Sequence, residues 1–391
     1  MPSHRLRSPL STLAFMALLA LLALDACAPR SEIPVADREF YVQMQKTALQ
    51  FPQKDGAWDQ HFGDAPYYGT AFYATAPDLP SPDADIPAGT EDHRTRARAA
   101  AGHNLATLTH GRDDRSFFLS HLEEVMMSAL GLIEYAAATG DRAGLPLVEE
   151  TIDTIDAVTV GLRYYIDLDA GMFAIKTYGP TAISAGVALL NLQYAKHIGG
   201  ERAAERIDFA RAVIDAIHAR AWDGGRYRVK PGDDLMELYP NTMMMLVLCR
   251  LYEQTGDGEL LARAQTVYDA IQVLRSPRGG YRSPYSAAEM GAQTDDYSTL
   301  SSQNYLTMAL ILLYQDTHNA RYFDEALFVL TFIRTHLHDP ATGHLLHHFI
   351  DGRIARPSDP EYFCTGCNLQ FLYVFHMLSR VAGADARPDA V

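Results

Sequence analysis

The 391-residue chain is poor in basic residues and carries no basic patch. It has 33 Lys and Arg against 48 Asp and Glu, and a formal net charge of −15 repels nucleic-acid phosphates, so nucleic-acid binding is not expected. The sequence also lacks the P-loop, GxGxxG, HExxH and GxSxG motifs, and we expect no cofactor. Beyond the first 24 residues no stretch holds 18 uninterrupted apolar residues, which leaves no candidate there for a membrane-spanning helix.

Cysteine is scarce, with four residues in the chain. Cys249 lies in an apolar run and is expected to be a small core residue. Cys364 and Cys367 form a CxxC directly before the last apolar helix, where a helix N-terminus favours the thiolate. The main prediction is a disulfide between these two residues, and a redox role and a metal site are the alternatives. The metal site would add histidines from the same segment: His344, His347 and His348.

The N-terminus is typical of an export signal. Arg5 and Arg7 precede an apolar stretch at 13–24 that is too short to span a bilayer comfortably. The stretch ends in Leu-Asp-Ala-Cys27, which resembles the lipobox of bacterial lipoproteins. This resemblance implies cleavage before Cys27, a lipid on that cysteine and a membrane anchor in the cell envelope, while Ala28 implies sorting to the outer membrane. The alternative is an ordinary secretory signal in which Cys27 has no role.

An apolar phrase that opens with Asn recurs three times, at Asn241, Asn304 and Asn368, 63 and 64 residues apart. An amphipathic helix follows each of the first two, from Glu259 and from Arg321. Recurrence at this spacing indicates stacked supersecondary units. The first kind of helix is apolar nearly all round and must be covered on both sides, whereas the second has a single apolar stripe. The pattern therefore predicts an inner and an outer layer of helices.

The links between these helices alternate in length. Links from an inner to an outer helix are short, and those from an outer helix back to an inner one are long. Alternate loops of an antiparallel stack fall on the same side, so we expect every long link to lie at the N-terminal ends of the inner helices. The short links are 139–141, 198–200, 255–258 and 317–319, and the long ones are 161–180, 222–240, 275–300 and 338–366.

Two helical layers, with short links on one face and long links rich in Gly and aromatics on the other, resemble the (α/α)6 toroid of six-hairpin glycosidases and related sugar epimerases. The resemblance covers most of 37–382 and implies an all-α domain with short β-hairpins that binds or hydrolyses a carbohydrate in its central funnel. A non-catalytic ligand-binding or scaffold protein is the alternative. The flanking segments are a signal peptide at 1–26, a tether at 27–36 and a polar tail at 383–391.

Carboxylates on the long links are the candidate catalytic groups. The sequence Thr294-Asp295-Asp296-Tyr297 is similar to the paired aspartates that serve as acid and nucleophile in some mannan-cleaving members, which implies those roles here. A second carboxylate would come from a neighbouring link, from Glu237, Glu289 or Glu361. The alternative is that the aspartates only favour the start of a helix through its macrodipole. The catalytic candidates are Asp295, Asp296, Glu237 and Glu361.

Amides and aromatic residues near the starts of the inner helices are the candidate binding groups. The recurring Asn residues are expected mainly to cap or pack the helices, with ligand contact as the alternative. Tyrosines on the long links suit the apolar faces of sugars, and they also suit simple loop packing. The substrate-binding candidates are Tyr239, Asn241, Tyr281, Tyr297, Gln303, Asn304 and Asn368.

Overall fold

Helices of two kinds alternate along the chain. The structure, a computed structural model, describes residues 33–48, 93–166, 179–234, 236–284, 296–341, 343–350, 353–354 and 365–382. Twelve α-helices lie within these residues: α1 Val35–Ala48, α2 His93–Asp113, α3 Arg115–Ser120, α4 Leu122–Thr139, α5 Leu145–Gly161, α6 Gly179–His197, α7 Ala203–Ala221, α8 Leu238–Thr255, α9 Gly258–Ile271, α10 Leu300–Thr317, α11 Ala320–Phe332 and α12 Thr365–Val381. A 3-10 turn, Gln272–Leu274, extends α9, and a π-helical turn, Ile333–Leu337, extends α11.

Helices α4, α6, α8, α10 and α12 form the inner layer. Every residue of α8 from Leu238 to Leu251 is buried, and so is every residue of α10 from Leu300 to Leu313. Helices with no polar face need neighbours on all sides. Along the ring, α4 packs against α6, α6 against α8, α8 against α10, and α10 against α12.

The outer helices each turn one apolar stripe inward. Helix α7 packs on α6, α9 on α8, and α11 on α10. The stripe repeats every three or four residues, which is the period of one helix face. The prediction of two helical layers in an all-α toroid is therefore confirmed. In and directly after α9, the stripe predicted from the sequence is buried as expected: Leu260, Ala264, Val267, Ile271 and Leu274.

Three of the four short links begin with a residue in the left-handed region. Gly140, Gly256 and His318 follow α4, α8 and α10 with φ angles of 76°, 70° and 52°. The backbone N–H of each donates to the carbonyl four residues earlier, which closes the helix end. The hydroxyl of the preceding threonine accepts from the second residue after it: Thr139 from Asp141, Thr255 from Asp257 and Thr317 from Asn319.

The described parts of the long links lie at the N-terminal ends of the inner helices, as predicted. The Thr181 hydroxyl, at the start of α6, donates to the Arg228 carbonyl at 2.7 Å, and the Leu300 N–H, at the start of α10, donates to the His347 carbonyl at 2.8 Å. Each of these bonds joins the start of one inner helix to the link of the next. We call the surface formed by these links and the first turns of the inner helices the long-link face.

Short strands join two of the long links. Strands β1, β4 and β5 form an antiparallel sheet in that order, and Tyr297 of β1 lies opposite Ile350 of β4. Strands β2 and β3 form a separate antiparallel pair in which His338 lies opposite Leu345. The strands are β1 Tyr297–Thr299, β2 His338–Asp339, β3 His344–Leu345, β4 His348–Ile350 and β5 Arg353–Ile354.

The folded unit begins before the boundary expected from the sequence. Helix α1 starts at Val35, and Ile33 is already part of the core. The predicted tether at 27–36 therefore overlaps the toroid at its C-terminal end. The predicted signal peptide with Cys27 and the polar tail at 383–391 lie outside the described residues. No helix in the described ranges combines the length and the apolar character needed to cross a membrane.

Candidate functional site

Buried amide side chains tie the long links to the inner helices. Asn241 of α8 accepts a hydrogen bond from the Tyr227 N–H at 2.7 Å and donates to the Tyr227 carbonyl at 2.9 Å. Asn368 of α12 makes the same pair of bonds with the N–H and carbonyl of Leu345, at 2.9 and 2.8 Å. Each amide thus acts like one residue of a neighbouring strand and satisfies both polar groups of a link residue.

The third amide of this kind is Gln303. Its side chain accepts from the Tyr281 N–H at 3.0 Å and donates to the Tyr281 carbonyl at 2.7 Å. The repeat in the sequence aligns Asn304 with Asn241 and Asn368, but the longer Gln303 side chain makes the equivalent contact from one position earlier. Because the side chains of Asn241, Gln303 and Asn368 are buried and each bonds both backbone groups of one link residue, they anchor the links, and their contact with a substrate stays a prediction.

Of the two roles expected for the recurring Asn residues, capping or packing their helices, capping is not the role of Asn241 or Asn304. Helix α8 begins at Leu238 with Glu237 as its N-cap, and α10 begins at Leu300 with Thr299 as its N-cap. The Asn side chains therefore lie in the second turn, where backbone N–H groups already have helical partners. The packing role expected for Asn241 and Asn368 is confirmed.

Asn304 has a different environment from the three anchors. Its amide donates to the Cys367 carbonyl at 2.9 Å and to Gln370 Oε1 at 3.3 Å, and so it joins α10 to α12. Its Oδ1 is buried and accepts no hydrogen bond from the residues that the structure describes. An unsatisfied buried carbonyl oxygen costs about 1–3 kcal/mol. Among the predicted binding amides, Asn304 is therefore the one with hydrogen-bonding capacity left over.

A thiol and an imidazole meet at the start of α12. Cys367 is 2% exposed, and its Sγ lies 3.3 Å from Nδ1 of His347, which comes from the turn between β3 and β4. Cys364 lies outside the described residues, so the disulfide stays a prediction. Within the described ranges no group of three or more His, Cys, Asp or Glu side chains could hold a metal ion.

The three predicted aromatic residues lie in different environments. Tyr239 packs edge-on against Tyr305, with ring centroids 5.0 Å apart, where α8 meets α10. Tyr281 lies between the layers, and its hydroxyl donates to Glu325 of α11 at 2.9 Å. The role of Tyr281 as a platform for a sugar stays a prediction. Tyr297 is 2% exposed within β1, and its substrate contact stays a prediction.

The candidate carboxylates also differ. Asp296 accepts from the Ser276 hydroxyl at 2.9 Å and forms an ion pair with Arg278 at 3.0 Å, so it has local partners that hold the link together. Glu237 is 2% exposed at the N-cap of α8. Asp295 and Glu361 lie outside the described residues, and their catalytic roles stay predictions.

The contacts above join three inner helices at the long-link face. Tyr239 meets Tyr305, Asn304 meets Cys367, and Cys367 meets His347. Sequence reasoning missed Tyr305 and Gln370 and considered His347 only as a metal ligand. The signal that could have found the first two is a polar side chain directly after, or two residues after, the recurring Asn of an otherwise apolar helix. We call Tyr239, Asn304, Tyr305, His347, Cys367 and Gln370 the rim cluster, and Glu237 lies two residues before Tyr239 at the N-cap of α8.

Several solved enzyme structures superpose on the chain over most of its length. The cellobiose 2-epimerase from Bacillus thermoamylovorans B4167 matches with a TM-score of 0.63 at 12% identity, covering 88% of this chain and 99% of that chain. The chain has the six-hairpin glycosidase fold. A family 76 α-mannanase from Bacteroides thetaiotaomicron matches at 0.58 and 13% identity, covering 90% and 97%. A D-mannose isomerase matches at 0.57 and 14% identity, covering 88% and 99%.

The likeness is confined to structure. The sequence matches no protein-family model and no curated protein. At identities of 12–14% the likeness shows the fold alone.

Proposed function

We propose that the chain binds and processes a carbohydrate at the long-link face. The observation that carries this proposal is the rim cluster, in which residues from three inner helices and a neighbouring link converge. The fold adds support, because the solved structures that share it are named as a mannose isomerase, a cellobiose epimerase and a mannanase. Open ends of such scaffolds, where loops from several elements meet, are common positions for ligand sites.

Glu237 is the proposed acid–base residue. It is buried at the start of an inner helix, whereas Asp296 already pairs with Arg278. A carboxyl group shielded from water suits proton transfer to or from a sugar oxygen or carbon. Hydrolysis would need a second carboxylate, for which Asp295 and Glu361 stay the candidates. The Tyr239–Tyr305 pair would contact the apolar face of a sugar ring, and Asn304 and His347 would bind its hydroxyls.

A screen of the full-length chain against mono- and oligosaccharides tests this proposal. Reducing-sugar release would report hydrolysis, and proton NMR would report an isomer or epimer. Glu237→Gln should lower turnover about 100-fold or more, because it removes a proton-transfer group. The matched control is Asp296→Asn, which should retain most activity because that carboxylate is engaged by Arg278. Full activity in Glu237→Gln would contradict the assigned role.

A non-catalytic binding protein is the second candidate. The observation in its favour is that one member of the predicted aspartate pair, Asp296, is held by Ser276 and Arg278. This candidate predicts calorimetric binding of a sugar, sensitive to Asn304→Ala, with no chemical change in that sugar. Turnover of any carbohydrate would exclude it.

We also propose that Cys27 carries a lipid that anchors the chain in the cell envelope. The basis is the sequence pattern ending in Leu-Asp-Ala-Cys27. A clickable palmitate analogue should label the wild-type chain in a bacterial host, and the chain should fractionate with membranes. Cys27→Ser should abolish both, and an unlabelled wild-type chain would overturn the proposal.

A further inference from the structure

The end of the toroid opposite the long-link face contains a cavity of about 670 Å³. Five inner helices line it with residues from their C-terminal halves, close to the short links. An 18-residue helix is about 27 Å long, so the cavity is distinct from the rim cluster at the other end of the same helices. We call it the short-link cavity. The lining groups that matter here are Glu134, Lys196, Arg250, Glu253, Tyr373 and Arg380.

Polar side chains in this cavity are unusually buried. Glu134 is 5% exposed, Tyr373 8% and Arg250 9%, although the inner helices around them are mostly apolar. Burying a charged group is unfavourable unless it gains partners, and apolar side chains would fill the end of a helical cylinder at lower free energy. The polar lining is therefore better explained by a ligand than by stability.

The charges of the lining largely offset one another. Glu253 accepts from Lys196 Nζ at 2.9 Å and from Arg250 Nη1 at 2.8 and 2.9 Å. Glu134 accepts from Gln193 Nε2 at 3.4 Å and lies 3.7 Å from His197 Nε2. Arg380 is exposed at the mouth, and the five helix C-termini place partial negative charge at the same end. The cavity therefore presents donors and acceptors together, with little net charge.

We infer that the short-link cavity binds a neutral polyhydroxylated ligand of mono- or disaccharide size. Each hydroxyl group both donates and accepts, which matches a wall where carboxylates, guanidinium groups and an ammonium group are neighbours. Tyr373 and Met377 add an apolar surface for the C–H face of a ring. The volume is in the range of small-molecule sites, about 300–1,000 Å³. This second site is independent of any chemistry at the long-link face.

Hydrogen–deuterium exchange on the full-length chain, with and without D-glucose, D-mannose or cellobiose, locates the site. At least one of these sugars should protect the last turns of α4, α8 and α12. Calorimetry should then show affinity falling about tenfold or more in the double variant Glu134→Gln with Arg380→Ala, which removes two charged hydrogen-bonding groups. Arg142→Ala is the matched control, since Arg142 is exposed on a short link and does not line the cavity.

Three outcomes would overturn the inference. The first is an absence of protection at these helix ends with every sugar tested. The second is unchanged affinity in a double variant whose melting curve matches the wild type. The third is protection by inorganic phosphate in place of sugars, which would make the site an anion site. Asn304→Ala should leave binding here unchanged, so failure of the proposed function at the long-link face is distinguishable from failure of this site.

Discussion

At the scale of single residues, buried amide side chains bond the backbone of the long links as a neighbouring strand would. Asn241, Gln303 and Asn368 each bond both backbone groups of one link residue. A link that crosses an apolar ring has few other partners for its N–H and carbonyl groups, and leaving them buried without bonds is costly. The anchors therefore explain how long irregular segments stay fixed over the inner helices.

Asn241→Ala should lower the free energy of unfolding by about 2–4 kcal/mol, because the N–H and carbonyl of Tyr227 lose their hydrogen-bond partner. Chemical denaturation measures the loss. Asn319→Ala is the matched control: its exposed side chain caps α11 with one bond to the Arg321 N–H, so about 1 kcal/mol is expected. Equal losses in the two variants would show that the anchoring bonds add nothing.

Asp316 makes stability depend on pH. Burial, and then the neighbouring Glu253, raise the pKa of its carboxyl from 3.8 to about 7, although Arg250 and Lys196 oppose the shift. The folded chain therefore holds an extra proton between these pH values, and its stability falls as pH rises through the window. Asp316→Asn should reduce the dependence of the melting temperature on pH between pH 6 and 7. This window is chosen because it lies above the pKa of about 6 to which burial raises the carboxyl of Asp156. An unchanged slope would exclude this carboxyl as the source.

At the scale of elements, three of the inner helices end in the same short turn. A threonine, a left-handed residue and an Asp or Asn turn the chain into the outer helix after α4, α8 and α10. This turn was visible in the sequence because all its contacts are between near neighbours. The starts of these helices were harder to predict. Helix α8 begins at Leu238, three residues before Asn241, and the Asn side chain is polar because it bonds a distant link and not because it caps the helix.

The left-handed residues after α8 and α10 allow a pair of opposite substitutions to be compared. His318 has a φ of 52° where Gly256 has 70°. His318→Gly should raise the free energy of unfolding by about 0.5–1 kcal/mol, since the strain of a side chain at positive φ exceeds the entropy that glycine adds to the unfolded chain. Gly256→His should lower it by a similar amount. Thermal melts of both variants check the pair, and changes of the same sign would contradict the explanation.

At the scale of the whole molecule, contacts between residues far apart in sequence join the first described helix to the last part of the toroid. Asp37 of α1 is 3% exposed and accepts from Arg334 Nε at 2.6 Å, although the two residues are 297 positions apart. Tyr41 of α1 stacks on Phe375 of α12 with ring centroids 4.3 Å apart. These contacts hold the N-terminal segment on the toroid.

Asp37→Ala should lower the free energy of unfolding by about 1–3 kcal/mol and make residues 33–48 sensitive to limited proteolysis, because Arg334 loses a largely buried partner. Arg334 is partly exposed, which limits the loss. Asp269→Ala removes one side of an exposed pair with Arg321 and should have a much smaller effect. A proteolysis pattern unchanged from the wild type would show that the pair does not hold α1 in place.

Local spacing was enough to define the architecture. The stripe from Leu260 to Leu274 and the apolar run after Asn241 place their helices in the outer and inner layers, because burial of a helix face follows from neighbours three and four residues away. The alternation of short and long links then determines which face the long links share. These features depend on near neighbours along the chain, so they can be read without coordinates.

The identity of the polar partners arises from packing between distant segments. Gln303 makes the anchoring contact that the repeat in the sequence predicts for Asn304. Arg278 forms an ion pair with Asp296, and the Tyr281 hydroxyl donates to Glu325 of the outer layer. The short-link cavity likewise combines charged side chains from four separate helices. No spacing rule specifies such meetings, because a hydrogen bond requires atoms within about 3 Å and only the packed layers bring these atoms that close.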